Sequence, residues 1–178
     1  MHARIRLSMN LWLAATIMAL GAFAMPRAQA ADLEALAKRA QVLEDREEIR
    51  ALILAYGQAH DHRDYKMFAS LFATNGEWIG GLGTAKGPDA IFALIDKSIR
   101  HHPLPEGSGT IHLLTNDQIV INGDRASSVT KWLSLTAGDD KAPKPTYLGH
   151  YDDQFIRENG HWKFLRRQSI SDISPLRK

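Results

Sequence analysis

No cysteine occurs in the 178 residues. That absence excludes a disulfide framework, a lipid-anchored cysteine behind a leader, a thiol nucleophile and a thiolate zinc site. No apolar run reaches the ~20 residues a spanning helix needs; the stretch from Leu11 to Phe23 falls short. An excess of either sign of charge is missing too. The formal net charge is +2, and no basic stretch is interleaved with aromatics, which argues against nucleic acid as a partner. No basic amphipathic helix points to a membrane surface.

What is present begins with a processing signal. Arg4 and Arg6 lead into the Leu11 to Phe23 run, and Ala28-Gln29-Ala30 supplies the small residues a signal peptidase reads. Residues 1–30 are therefore expected to be a signal peptide cleaved after Ala30, with the protein exported to the periplasm or secreted and not inserted stably in a membrane afterwards. Roughly 148 of the 178 residues remain, enough for one domain with a proper core. The expected division is a helical lead-in over 31–44, a single domain over 45–172 and a short tail over 173–178.

Asp45 and Glu48 have the spacing of a capping box, so the main helix is expected to start there. Ile49, Leu52, Ile53 and Tyr56 then recur at helical spacing and share one buried face. Asp64 is placed to cap a second helix carrying Met67, Phe68, Leu71 and Phe72. Asn75-Gly76 reads as a turn, Glu77 to Ile79 as a short strand, and Gly80-Gly81-Leu82-Gly83 as a hairpin or bulge rather than a phosphate loop, since no Lys-Ser/Thr follows. Pro88 opens a third helix with Ile91, Leu94 and Ile95 inward, ending before a solvated His101-His102-Pro103 loop.

From Thr110 the period becomes extended. Thr110 to Ile121, Arg125 to Ala137, Tyr147 to Arg157 and Trp162 to Ser171 are strand candidates, and Asn122-Gly123 and Asn159-Gly160 mark hairpins. Gly138 to Pro145 reads as a surface loop. Helices first and a meander last give an α+β fold.

The candidate chemistry centres on His112, set in Gly109-Thr110-Ile111-His112-Leu113-Leu114-Thr115-Asn116, and on Asp61 at a helix end. A carboxylate on the far ring nitrogen would fix the tautomer and stabilise the imidazolium. Each residue also has a plain structural interpretation. His112 could be satisfied by a main-chain carbonyl, Asp61 could end its helix, and Tyr56 could be core. A metal is not expected in His60-Asp61-His62-Arg63-Asp64, because consecutive residues point in different directions and no His-x-x-Glu-His-type spacing follows.

Several motifs then combine. Tyr56-x4-Asp61-x2-Asp64, Gly87-Pro88-x2-Ile91, Thr110-Ile111-His112-x2-Thr115-Asn116, Asn122-Gly123-Asp124, and Gly149-x-Tyr151-x-Asp153 before Gly160-x-Trp162-Lys163-Phe164 occur in this order. From Leu43 to about Asp172 the chain resembles the SnoaL-like branch of the nuclear transport factor 2-like superfamily. The resemblance implies a cone-shaped, curved antiparallel β-sheet closed by three N-terminal helices. Asp61 and His112 match the dyad of scytalone dehydratase and hexachlorocyclohexane dehydrochlorinase, and Tyr56 matches a tyrosine of bile acid 7α-dehydratase. Arg167 falls where the dehydrochlorinase has an arginine, with Arg166 as the rival on the other strand face.

There are departures: the second histidine of scytalone dehydratase falls near Val129 or Thr130, its tyrosine before the aspartate is His60, and the dehydrochlorinase lysine is replaced by Tyr56. The resemblance thus implies a cofactor-independent lyase or isomerase acting on a small hydrophobic, steroid-like or aromatic substrate. Asp61, His112 and Tyr56 would be catalytic, and Arg167, Tyr151, Trp78, Trp132 and Phe155 would contact substrate. It also implies a homodimer or homotrimer. The alternatives are a non-catalytic exported domain that holds a hydrophobic small molecule, and a dimerisation module.

Overall fold

A computed structural model describes residues 27–100, 109–138, 140 and 142–173. His101-His102-Pro103 and residues 1–26 of the expected signal peptide lie outside the described residues. The order of elements is α1 (Arg27–Asp61), α2 (Tyr65–Ser70), β1 (Phe72–Gly80), β2 (Gly83–Lys86), α3 (Pro88–Arg100), β3 (Thr110–Asn122), β4 (Arg125–Ala137), β5 (Pro143–Glu158) and β6 (His161–Ile173). No described helix is long and apolar enough to cross a membrane.

The strands form one six-stranded sheet in the order β2-β1-β6-β5-β4-β3. Its joints are antiparallel except that β1 runs parallel to β6, a pairing that local hairpin signals cannot reveal. The sheet is curved and unclosed, and the helices pack into its concave side, as an α+β architecture requires. Strands of 13 to 16 residues bend at bulges that raise the local twist. One is at Asn116-Asp117, where Asn116 takes φ 55°. Another leaves Leu165 unopposed on β6, since Phe155 faces Phe164 while Gln154 faces Arg166.

Three expectations are corrected. Asp45 does not start a helix: α1 is continuous from Arg27, and the carboxylate of Asp45 instead accepts from Arg157 Nη2 at 2.6 Å. Glu48 likewise does not close a capping box but receives the Trp162 amide at 3.0 Å. The two acids fasten the helix to the sheet. Asn75-Gly76 lies inside β1, in the irregular stretch between the residues paired with Phe164 and Arg166. Finally, Pro143 to Pro145 is strand rather than loop, pairing with Leu135 to Ala137.

Other expectations hold. Asp64 caps α2 by accepting from the Met67 amide at 2.9 Å, though Met67 itself is exposed. The Asn159-Gly160 hairpin has φ 53° and 84° at its two turn residues, the signature of a type I′ turn. The core joins Ile49, Ile53 and Tyr56 of α1 to Phe68, Ile91, Ile95, Phe155 and Phe164. Gly57 lets α1 approach β3 closely, because a Cβ there would stand 3.0 Å from Leu114.

Candidate active site

That close approach sets the last turn of α1 beside the first half of β3. Strand alternation sends Ile111 and Leu113 to the outer face and His112 inward. Asp61 then holds His112 twice: Oδ1 lies 2.5 Å from Nδ1, and Oδ2 accepts the His112 amide at 2.9 Å. A carboxylate accepting from Nδ1–H assigns the tautomer in which Nε2 is the unprotonated nitrogen.

His112 lines a cavity of about 540 Å³, together with Tyr56, His60, Trp78, Trp132 and Tyr151 among the described residues. Ser134, Ser169 and Ser171 add hydroxyls to the wall, with Leu82 and Tyr147 also in the lining. The Trp78 indole N–H donates to the Tyr56 hydroxyl at 3.0 Å, and the Tyr56 and Tyr151 rings meet edge-on with centroids 5.4 Å apart. Burial pushes both phenols up from their ordinary pKa, Tyr151 strongly, so both remain protonated donors at neutral pH. Trp132 stacks on Tyr151 with centroids 5.7 Å apart. It can do so because residue 149 is glycine, where a Cβ would lie 2.6 Å from the indole.

Two expected substrate contacts are corrected. Arg167 is fully buried and does not line the cavity. Its Nε and Nη2 donate to Asp153 at 2.8 and 2.7 Å, and its guanidinium sits 4.0 to 4.1 Å from the ring centroids of Tyr56, Tyr151 and Phe164. Burial works against its charge, but Asp153 outweighs this and its pKa is raised; burial pushes the Asp153 carboxyl up against the pull of Arg167. Arg167 therefore supports the two tyrosines from beneath. Arg166, the rival, turns to the other face toward Gln168 and Glu77. Phe155 is core, its ring 5.1 Å from that of Phe164, and does not line the cavity.

His60 is not among the site residues the sequence points to, yet its ring lies 4.3 Å from that of His112. Its signal was the four-residue step from Tyr56, which keeps both on one helix face. Burial and the neighbouring His112 push its pKa down to about 4. Ser134 has a signal too, two positions on from Trp132, whereas Ser169 and Ser171 follow the phase that the β6 bulge sets.

A family profile described as the SnoaL-like domain matches residues 41–168. No curated protein matches the chain. Among solved structures, an NTF2-like protein with a cystatin-like fold from Novosphingobium aromaticivorans is 29% identical, with a TM-score of 0.65 over 79% of this chain and 88% of that one. ActVI-ORFA from Streptomyces coelicolor shares the fold at 21% identity and TM-score 0.63, over 71% and 96% of the two chains. So does a candidate scytalone dehydratase from Novosphingobium aromaticivorans, at 20% identity and TM-score 0.61, over 76% and 95%. With the profile spanning most of its length and the same cone carried by these structures, the chain belongs to the SnoaL-like domain family of the nuclear transport factor 2-like superfamily, which includes polyketide cyclases and dehydratases.

Proposed function

We propose that the protein is a lyase or isomerase that needs no cofactor for its proton transfers and acts on a small hydrophobic molecule of steroid-like or aromatic type. The observation that carries this reading is the Asp61–His112 pair at the wall of an aromatic cavity. Nε2 of His112 removes a proton beside an activating carbonyl, while Asp61 stabilises the imidazolium that forms. The imidazolium then returns its proton, either to a departing hydroxide in a dehydration or to another carbon in an isomerisation. The Tyr56–Tyr151 hydroxyl pair donates to the carbonyl oxygen as negative charge develops there. Each of the two effects is worth about 10²–10⁴-fold and 10²–10³-fold respectively.

The test is a screen of hydroxylated steroid and aromatic ketones against native protein and His112→Ala, following formation of a conjugated product by absorbance. Turnover by native protein that His112→Ala loses, with ligand binding retained, supports catalysis. Binding without turnover in either protein overturns it in favour of a binding domain. Export belongs to the same proposal and rests on the Arg4, Arg6 and Ala28-Gln29-Ala30 pattern; the N-terminal sequence of material recovered outside the cytoplasm tests it. A homodimer or homotrimer is proposed with it. It is supported by the exposed apolar row Ile111, Leu113, Val120 and Val129 on the outer sheet face, and sedimentation measures it.

A further inference from the structure

The sequence argues against a metal in the 60–64 run because neighbouring side chains diverge. The fold changes the donor set. His112 arrives from β3, and one donor atom each from His60, Asp61 and His112 lies within 4.8 Å of the others, the one such group among the described residues. We infer that His60, Asp61 and His112 form a binding site for a divalent transition-metal ion of the zinc type, and that its occupation switches off the acid/base pair.

Four observations support the site. Nδ1 of His60 is buried and has no hydrogen-bond partner, a state that costs about 1–3 kcal/mol when nothing satisfies the atom. Two imidazoles and one carboxylate are a donor set that suits zinc and its neighbours. His60 and His112 both line the cavity, which leaves room for water in a fourth position, as open zinc sites have. Asp61 is already oriented, since Oδ2 accepts the His112 amide and Oδ1 faces Nδ1 of the His112 ring.

The rearrangement is of ångström scale, since donor atoms now within 4.8 Å of one another must reach tetrahedral spacing. Zinc–nitrogen bonds of about 2.0–2.1 Å set tetrahedral donors roughly 3.3 Å apart, so the 2.5 Å contact between Asp61 and His112 opens by under an ångström. In the loaded form Nδ1 of His112 is held by the ion and Asp61 no longer stabilises an imidazolium. The site stands or falls without reference to any substrate.

The experiment is calorimetric titration of the native chain with zinc chloride, without substrate, alongside His60→Phe and His150→Ala. His150 pairs with Asp172 at 2.6 Å on the outer face of the sheet and serves as the control histidine–carboxylate pair. The expected result is one site per chain, weakened at least tenfold in His60→Phe and unchanged in His150→Ala. Native protein loaded with cobalt(II) is expected to show the intense visible bands of a four-coordinate ion, a measurement that decides the matter if His60→Phe does not fold. Absence of saturable binding below millimolar zinc, equal affinity in His60→Phe, or only the weak spectrum of six-coordinate cobalt overturns the site.

Discussion

Asp61 uses both carboxylate oxygens on one residue, and the two contacts do different work. The bond to the His112 amide at 2.9 Å fixes α1 against β3, whereas the bond to Nδ1 sets the tautomer. In Asp61→Asn the amide oxygen can keep the first contact, but the amide nitrogen donates to Nδ1 and moves the ring proton to Nε2, which removes the base. Turnover on any substrate found by the ketone screen is therefore expected to fall by about 10²–10⁴-fold with the fold retained, as read by initial rates and a thermal melt. His60 gives a second prediction, in stability. Its pKa of about 4 in the folded chain stands against 6.5 unfolded, so between those values the unfolded chain binds a proton that the native one refuses. Stability thus falls as pH drops from 6.5 to 4, by roughly 3 kcal/mol at 1.36 kcal/mol per pKa unit. His60→Phe is expected to flatten that part of a denaturation-versus-pH profile; an unchanged slope refutes the assignment to His60.

At the scale of elements, the legible features were those with a local cause. The apolar stripe Ile49, Leu52, Ile53 and Tyr56, the Asp64 cap and the four long strands follow from periodicity and turn chemistry, and each is present. The inward face of β6 was not legible. Strict alternation from Trp162 and Phe164 would bury Arg166, but the bulge at Leu165 shifts the phase and buries Arg167 instead. A bulge depends on the partner strand, which sequence spacing does not show. The buried Arg167–Asp153 pair that results is expected to behave as a unit. Arg167→Met or Asp153→Leu alone leaves an uncompensated buried charge at a cost of about 3–5 kcal/mol, and the double variant costs much less than the sum, as urea denaturation of the three variants will measure. Packing across β4 and β5 carries another prediction. A Cβ at residue 149 would meet the Ile170 carbonyl oxygen at 2.0 Å and the Trp132 ring at 2.6 Å. Gly149→Ala is expected to destabilise by at least about 1–3 kcal/mol and to displace Trp132 toward the cavity, visible as a shift in tryptophan fluorescence.

At the scale of the whole molecule, α1 is two things in one helix. Its C-terminal half, from Asp45, is bonded to the sheet through Arg157 and the Trp162 amide, supplies Tyr56 and His60 to the cavity and sets Asp61 against His112. Its N-terminal part is different: residues 29–44 are all exposed, including Leu33, Leu36 and Leu43. Stability follows burial and hydrogen bonding of the affected segment rather than its length, so the two parts respond differently to change. A chain beginning at Ala40 keeps Gln41, whose amide donates to Asp45 at 3.0 Å, and loses no buried side chain. Its thermal midpoint is expected to stay within ~2 °C of the full chain, because no term of even about 0.5 kcal/mol is removed. Arg157→Met breaks the bond to the buried Asp45 and the cation–π contact at 4.6 Å from the Trp162 ring. It is expected to cost about 1–3 kcal/mol, less than the loss of one partner of a fully buried pair because Arg157 is partly exposed. The comparison places the folding boundary at the level of Asp45 if only Arg157→Met lowers the midpoint; a loss of several degrees on truncation instead would show that the exposed segment is packed against something in solution, for which a second copy of the chain is the first candidate to examine by sedimentation.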